Sequence, residues 1–279
     1  MKEKYNKLKI CVNITNMEET KRNKYIVVDA INKFLNTTWG MLVVLLVVVL
    51  FAIIVRIGMM PFREVNGDTY WFQAPWTTYY RNHGGIKAIG DLPYSYIKYK
   101  GKNYAYGTNE FEQYFAQEGA VLYQCDYLAG YLNLMVLFSY LPINSYRVCK
   151  AIGLMVDLVT ATGILFISWR VTNKNRLLSI LACSLYLFLP TILTNSGIWG
   201  QCDGLYTCLI IWALYFIISD RPWFSMMFVG FALATKLQGI FIIPLFGYLW
   251  LKKGFKLVSN YSISNVYNLY SFSLWWHEF

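Results

Sequence analysis

The sequence predicts an all-α polytopic membrane protein with a long first outer loop, and three observations carry that expectation. Of 279 residues, 57% are hydrophobic and only 14% are charged, about half the charged share of an average soluble domain. The apolar residues gather in runs, the first about 20 residues long, enough to cross a hydrocarbon core of about 30 Å. The formal charge of +10 sits in three short segments. Such a composition excludes a soluble enzyme, a disordered chain and an ordinary nucleic-acid binder, whose basic patch needs a wettable fold around it. Membrane lipids are expected partners and nucleic acid is not.

The basic segments orient the chain. Residues 1–40 hold Lys2, Lys4, Lys7, Lys9, Lys21, Arg22, Lys24 and Lys33 against four acids; Arg170, Lys174 and Arg176 form a second cluster and Lys252, Lys253 and Lys256 a third. Lys and Arg flanking spans are retained on the cytoplasmic side. Residues 1–40 are therefore read as a cytoplasmic basic segment ahead of a transmembrane module, 41–252, and a polar, aromatic tail, 253–279. The first apolar run begins behind forty polar residues and is too long for a cleaved h-region, so it is read as a signal anchor.

Taken in order, Met41–Met60 is the first span, ended by Pro61, with Arg56 near its outer end able to snorkel. Residues 62–120 balance six basic against six acidic residues and are rich in Tyr, Trp and Gly; a loop of that length is usually functional. Further apolar segments run over roughly 121–141, 148–169, 177–194, 204–218, 223–235 and 238–251. With the N-terminus inside, residues 62–120 lie outside, and the Arg170–Arg176 cluster inside requires 148–169 to run inward. Segment 121–141 is then a re-entrant or interfacial helix on the outer side; a true crossing there would put the Arg170–Arg176 cluster outside. The last two segments form a short pair that goes out and back around Lys236.

This scheme gathers Asp68, Asn195, Gln201, Asp203, Lys236 and Gln238 at the outer ends of apolar segments. Ionisable residues at membrane depth are costly and commonly line a cavity or pathway. Asp68, in Gly67-Asp68-Thr69-Tyr70-Trp71-Phe72, by spacing alone suits a helix N-cap first and a general base at the membrane surface second. The aromatics that follow fit an interfacial belt better than a sugar-stacking platform. In Asn195-Ser196-Gly197-Ile198-Trp199-Gly200-Gln201-Cys202-Asp203, amides and a carboxylate are groups that hydrogen-bond sugar hydroxyls, while a tight turn with Asp203 as cap fits as well. Lys236, between two half-length apolar segments, suits either a phosphate at a broken helix or a snorkelling lysine.

Asp157 is read as pairing with a neighbouring helix, since Lys150 lies seven residues and about 10 Å away along the same face. Six cysteines without CxxC spacing form no disulfide framework or zinc site. His83 and His277 are too isolated for a metal site, and no phosphate-binding glycine loop or GxSxG motif occurs.

Three blocks then resemble the polytopic GT-C glycosyltransferases that use polyprenyl-phosphate sugars, in particular bacterial relatives of the GPI-anchor mannosyltransferases and, more distantly, the ER dolichyl-phosphate-glucose glucosyltransferases. Gly67-Asp68 with Phe72 and Pro75-Trp76 resembles the first outer loop with its catalytic aspartate. Asn195-Ser196 with Trp199-Gly200-Gln201 and Asp203 resembles an NSxxWGQxD block, and Phe231-Ala232-Leu233-Ala234 with Lys236-Leu237-Gln238 resembles an FxxAxxxKxQ block. The resemblance implies a GT-C-like helical module in a bacterial plasma membrane. It implies a hexosyltransferase, mannosyl or glucosyl, passing a sugar from a polyprenyl-phosphate donor to a lipid or glycan acceptor on the extracytoplasmic face. Asp68 is then the base and Asn195, Trp199, Gln201, Asp203, Lys236 and Gln238 the substrate-binding residues, with no cofactor beyond the lipid-linked sugar and no metal ligands assigned. Two departures stand out. Where the family shows Tyr-Pro-Pro, this chain reads Tyr123-Gln124-Cys125-Asp126-Tyr127, with Asp126 as a possible second carboxylate. Family members are also usually longer, so a truncated chain is expected. The alternative is a non-enzymatic polytopic protein, either a transporter component or an inactive remnant.

Overall fold

The computed structural model describes residues 29–30, 33–35, 37–62 and 67–253. Most of the basic segment 1–40, and the tail beyond Lys253, lie outside the described residues.

Helix α1, Thr38–Met59, starts where the Thr37 side chain accepts from the Gly40 N–H, satisfying one of the donors a helix N-terminus leaves open. Its long exposed apolar face (Leu42, Leu46, Leu50, Ile54) suits lipid. Among the described residues, helix α5, Ser145–Val171, is the other single helix long and apolar enough to cross a membrane. A third crossing is available if the bent pair counts as one. Helix α6, Arg176–Phe188, breaks by 48° into α7, Pro190–Thr194, and the turn that extends it to Trp199, because Pro190 can begin a helix but cannot continue one.

Between α1 and α5 lies a folded layer. A π-helical turn, Thr69–Gln73, runs into α2, Ala74–Asn82. Strands β1, Tyr94–Tyr99, and β2, Lys102–Ala105, form a hairpin whose two turn residues, Lys100 and Gly101, both take positive φ, the backbone that matches strand twist. A short helix α3, Asn109–Tyr114, follows, and β3, Val121–Gln124, completes an antiparallel sheet in the order β2-β1-β3. The chain is predominantly helical, but this sheet corrects the all-α expectation. It also moves the end of the polar segment past residue 120, because Val121-Leu122-Tyr123 pairs with β1 instead of entering a helix. What remains of the 121–141 apolar segment is α4, Ala129–Phe138; ten residues rise about 15 Å, half a hydrocarbon core.

Helices α8, Asp203–Ile218, and α9, Pro222–Thr235, pack side by side. A 3-10 turn, Leu237–Ile242, leads into α10, residues 243–253. The largest core cluster joins the folded layer to the first half of α5 through Trp76, Tyr131, Met135, Val148 and Ile152. A smaller one joins α1, α5 and α6 around Ala52, Ala161 and Leu187.

Arg56 does not snorkel. It is 1% exposed, and its guanidinium donates to Asp157 Oδ2 from both Nε (3.0 Å) and Nη2 (2.8 Å). Further bonds go to Ser196 Oγ and to the carbonyls of Ala52 and Leu187. A side chain with this many partners within reach has no need to climb to the interface. Asp157 thus finds its partner on a neighbouring helix, and Lys150 instead donates to the carbonyls of Met60 and Phe62.

Candidate active site

Three stretches far apart in sequence line one cavity of about 450 Å³: Asp68 at the start of the π-helical turn, Asp126 and Tyr127 in the loop after β3, and Lys236 with Gln238 at the break after α9. Asp68 occupies the residue before the turn, yet its side chain makes no capping bond. It is exposed, so its carboxylate faces the cavity free of the structural duty its position suggested. The turn behind it is anchored, since the Thr69 hydroxyl donates to the Trp199 carbonyl.

Lys236 is presented by a helix that stops. Its φ of −151° and ψ of 131° are extended, so α9 ends one residue earlier. Gly130 of α4 lets that end approach: a Cβ there would lie 2.7 Å from the Ala234 carbonyl oxygen and 3.0 Å from Thr235 Oγ1. The Lys236 ammonium is ion-paired with Asp203 and lies 5.8 Å from the centroid of the Tyr127 ring, within cation–π range. Asp203 stands in the first turn of α8 without capping it, where a carboxylate also meets the positive end of the helix dipole. Burial alone would lower the Lys236 pKa, but the hydrogen bond with Asp203 and the neighbouring Cys202 and Asp203 hold it above its usual value. The cation is fixed at the cavity wall and stays charged.

Tyr127 forms the aromatic wall. It packs on Trp76 with centroids 5.0 Å apart. Burial, with the Cys202 thiol, Asp68 and Asp203 nearby, raises its hydroxyl pKa well above the ordinary range, so it remains a neutral hydrogen-bonding group. Cys125 next to it is likewise pushed up to about 12, mainly by burial, which keeps it a thiol and removes it as a nucleophile. Among the described residues no group of three or more His, Cys, Asp or Glu is placed to hold a metal ion.

The other expected site residues are not among those lining the cavity. Asn195 begins a second π-helical turn, Asn195–Trp199, and its carbonyl accepts from the N–H groups of Gly200 and Gln201. Ser196 is buried and takes the Arg56 hydrogen bond. A Cβ on Gly197 would lie 3.1 Å from the Met59 side chain, and Gly200 turns with a φ of +66°. Trp199 is 41% exposed and enters the site through its carbonyl. The block therefore braces α1, α5 and the Asp68 turn together, and only Asp203 reaches the cavity region, through Lys236. The sequence reading named Asp126 and missed Tyr127 and Thr69. No motif marks Tyr127 or Thr69; the one signal beside Tyr127 is the carboxylate of Asp126 next to it.

The family model of glycosyltransferase family 87 matches residues 127–264. No curated protein and no solved structure matches the chain. The matched stretch contains Tyr127, the Asn195–Asp203 block and Lys236, and it stops short of Asp68. Its similarity to that family, joined to two or three helices among the described residues that are long and apolar enough to cross a membrane, supports a membrane glycosyltransferase.

Proposed function

We propose that the chain is a multi-pass hexosyltransferase of GT-C type that works with inversion at the sugar carbon. It takes a mannosyl or glucosyl unit from a polyprenyl-phosphate donor and passes it to an acceptor hydroxyl on the extracytoplasmic face of a bacterial plasma membrane, with the N-terminus cytoplasmic. The observation that carries this reading is the cavity that joins a carboxylate without capping duty, Asp68, to a fixed cation, Lys236.

In the proposed reaction Asp68 accepts the proton of the acceptor hydroxyl, whose oxygen attacks the anomeric carbon as the bond from that carbon to the phosphate oxygen breaks. The electron pair leaves with the lipid phosphate. A phosphate is a competent leaving group, so positioning and charge stabilisation are the main tasks. Lys236 supplies the positive charge, with Asp203 holding it until donor arrives. Gln238, Asp126 and Tyr127 line the space where sugar hydroxyls would be met; Asn195, Trp199 and Gln201 act one step removed, through the backbone that braces the Asp68 turn.

The test is transfer in membranes carrying the protein, given radiolabelled polyprenyl-phosphate mannose or glucose. Transfer by the wild type, lost in Asp68→Asn, is expected. Equal transfer by both would remove the base assignment, and none by either would favour an inactive remnant.

A further inference from the structure

We propose that Tyr123, outside the cavity, is a subsite that stacks a saccharide unit of a glycan acceptor; the idea rests on the transferase reading and narrows its acceptor. The β1–β3 register sets Tyr123 opposite Tyr96, and their rings stack with centroids 4.5 Å apart and planes 12° from parallel. Tyr96 is fixed in turn by Trp71 (5.8 Å, edge-on) and Phe72 (6.0 Å, edge-on), two residues of the same turn that follows Asp68. Tyr123 therefore rests on a rigid aromatic support. It lies on an edge strand and is 39% exposed, so its exposed surface is what Tyr96 does not cover.

The surroundings fit a water-borne polyhydroxylated ligand better than lipid. Lys98, which shares the Tyr96 face of β1 by the alternation of a strand, is exposed, as are Lys100, Lys102, Asn103 and Gln124. Val121, two residues along β3 on the same face, is exposed as well and adds an apolar edge beside the ring. An aromatic face carries negative potential, which suits the polarised C–H face of a pyranose, while Lys98, opposite Val121 on the same face of the sheet, supplies donors for its hydroxyls. The route to the cavity is short: Tyr123 to Asp126 is three residues, at most about 10 Å of extended chain. A linked pair of sugar rings bridges that span, one stacked on Tyr123 and the next entering the cavity that Asp126 lines together with Asp68.

The experiment titrates the full chain in detergent micelles with mannotetraose and, separately, maltotetraose, following ligand saturation-transfer signals by NMR. Binding of one tetrasaccharide is expected, weakened about three- to tenfold by Tyr123→Ala and retained by Tyr123→Phe, which keeps the ring and its packing. Binding is read without donor and transfer separately, so a failed subsite and a failed transferase reading are told apart. Equal binding by Tyr123→Ala, or no tetrasaccharide binding by the wild type, overturns the subsite. So does an effect of Tyr123→Ala confined to association with anionic lipid vesicles. A wild type that binds through Tyr123 but transfers nothing would leave the subsite standing and remove the enzyme.

Discussion

Arg56 on α1 and Asp157 on α5 form an ion pair at 2.8 Å, with side chains 1% and 4% exposed. The same guanidinium bonds to Ser196, and Tyr186 of α6 donates to the other oxygen of Asp157 at 3.4 Å. The pair thereby ties α1, α5 and α6 to the π-helical turn that carries Ser196. Breaking a buried pair from one side leaves the other charge uncompensated, at a cost of about 3–5 kcal/mol, whereas replacing both partners by apolar residues is often neutral. Arg56→Met should lower the unfolding midpoint in micelles sharply, and the double variant Arg56→Met with Asp157→Leu should recover most of it. A double variant no more stable than Arg56→Met would show that the network does more than neutralise charge.

Thr69 transmits this bracing to Asp68, the proposed base. Its hydroxyl bonds to the Trp199 carbonyl, and it is the residue after Asp68. Thr69→Val preserves shape and removes the donor; a displacement of the base on the scale of 1 Å lowers rates by about 100-fold. The prediction is a fall in kcat of about 10- to 100-fold with donor KM little changed, restored by Thr69→Ser. Both constants are read from the radiolabelled transfer assay across donor concentrations.

Gly130 governs the position of Lys236. Because a Cβ there would sit 2.7 Å from the Ala234 carbonyl oxygen, Gly130→Ala must push α4 and α9 apart, and overpacking of this kind costs about 1–3 kcal/mol. The expected signature is a higher donor KM together with a modest loss of thermal stability. A variant with the wild-type donor KM would show that the break tolerates the shift.

The Lys236–Asp203 pair sets an expectation for pH. Against the lowering effect of burial, the bond to Asp203 leaves the Lys236 pKa raised. A raised pKa means the folded state holds its proton more tightly. The contribution is therefore complete below the free lysine value of about 10.4 and lost only as pH climbs through the raised value. Donor KM should stay flat through neutral and mildly alkaline pH. Asp203→Asn removes the raising partner, so the rise in KM should begin at lower pH than in the wild type. Identical profiles would show that the amine reaches no donor phosphate.

Much of the architecture was legible in the sequence because it follows from solvent preference. Runs such as 41–60 and 148–169 can only be buried or face lipid, and they became α1 and α5. The special residues at 195–203 and at Lys236 were also visible, since polar groups, glycines and a cation interrupt apolar context. Their duties were less legible. Ser196 and Gly197 looked like part of a ligand-binding turn and proved to be contacts for Arg56 and Met59. Val121-Leu122-Tyr123 looked like the start of a helix, and tertiary pairing with β1 made it a strand, as happens when a short apolar run has no periodicity of its own.

The sequence by itself determined that the chain is a membrane protein, where its apolar helices fall and which few polar residues stand apart, because each of these depends on a residue and its near neighbours. Only the tertiary structure decided that Asp68, Asp126 and Lys236 share one cavity, that Arg56 meets Asp157, and that Tyr123 stacks on Tyr96 at an open sheet edge. Those meetings join positions up to 168 residues apart. They depend on how helices rotate and strands register against one another, which is set by the fit of whole packed surfaces and not by the identity of any single residue.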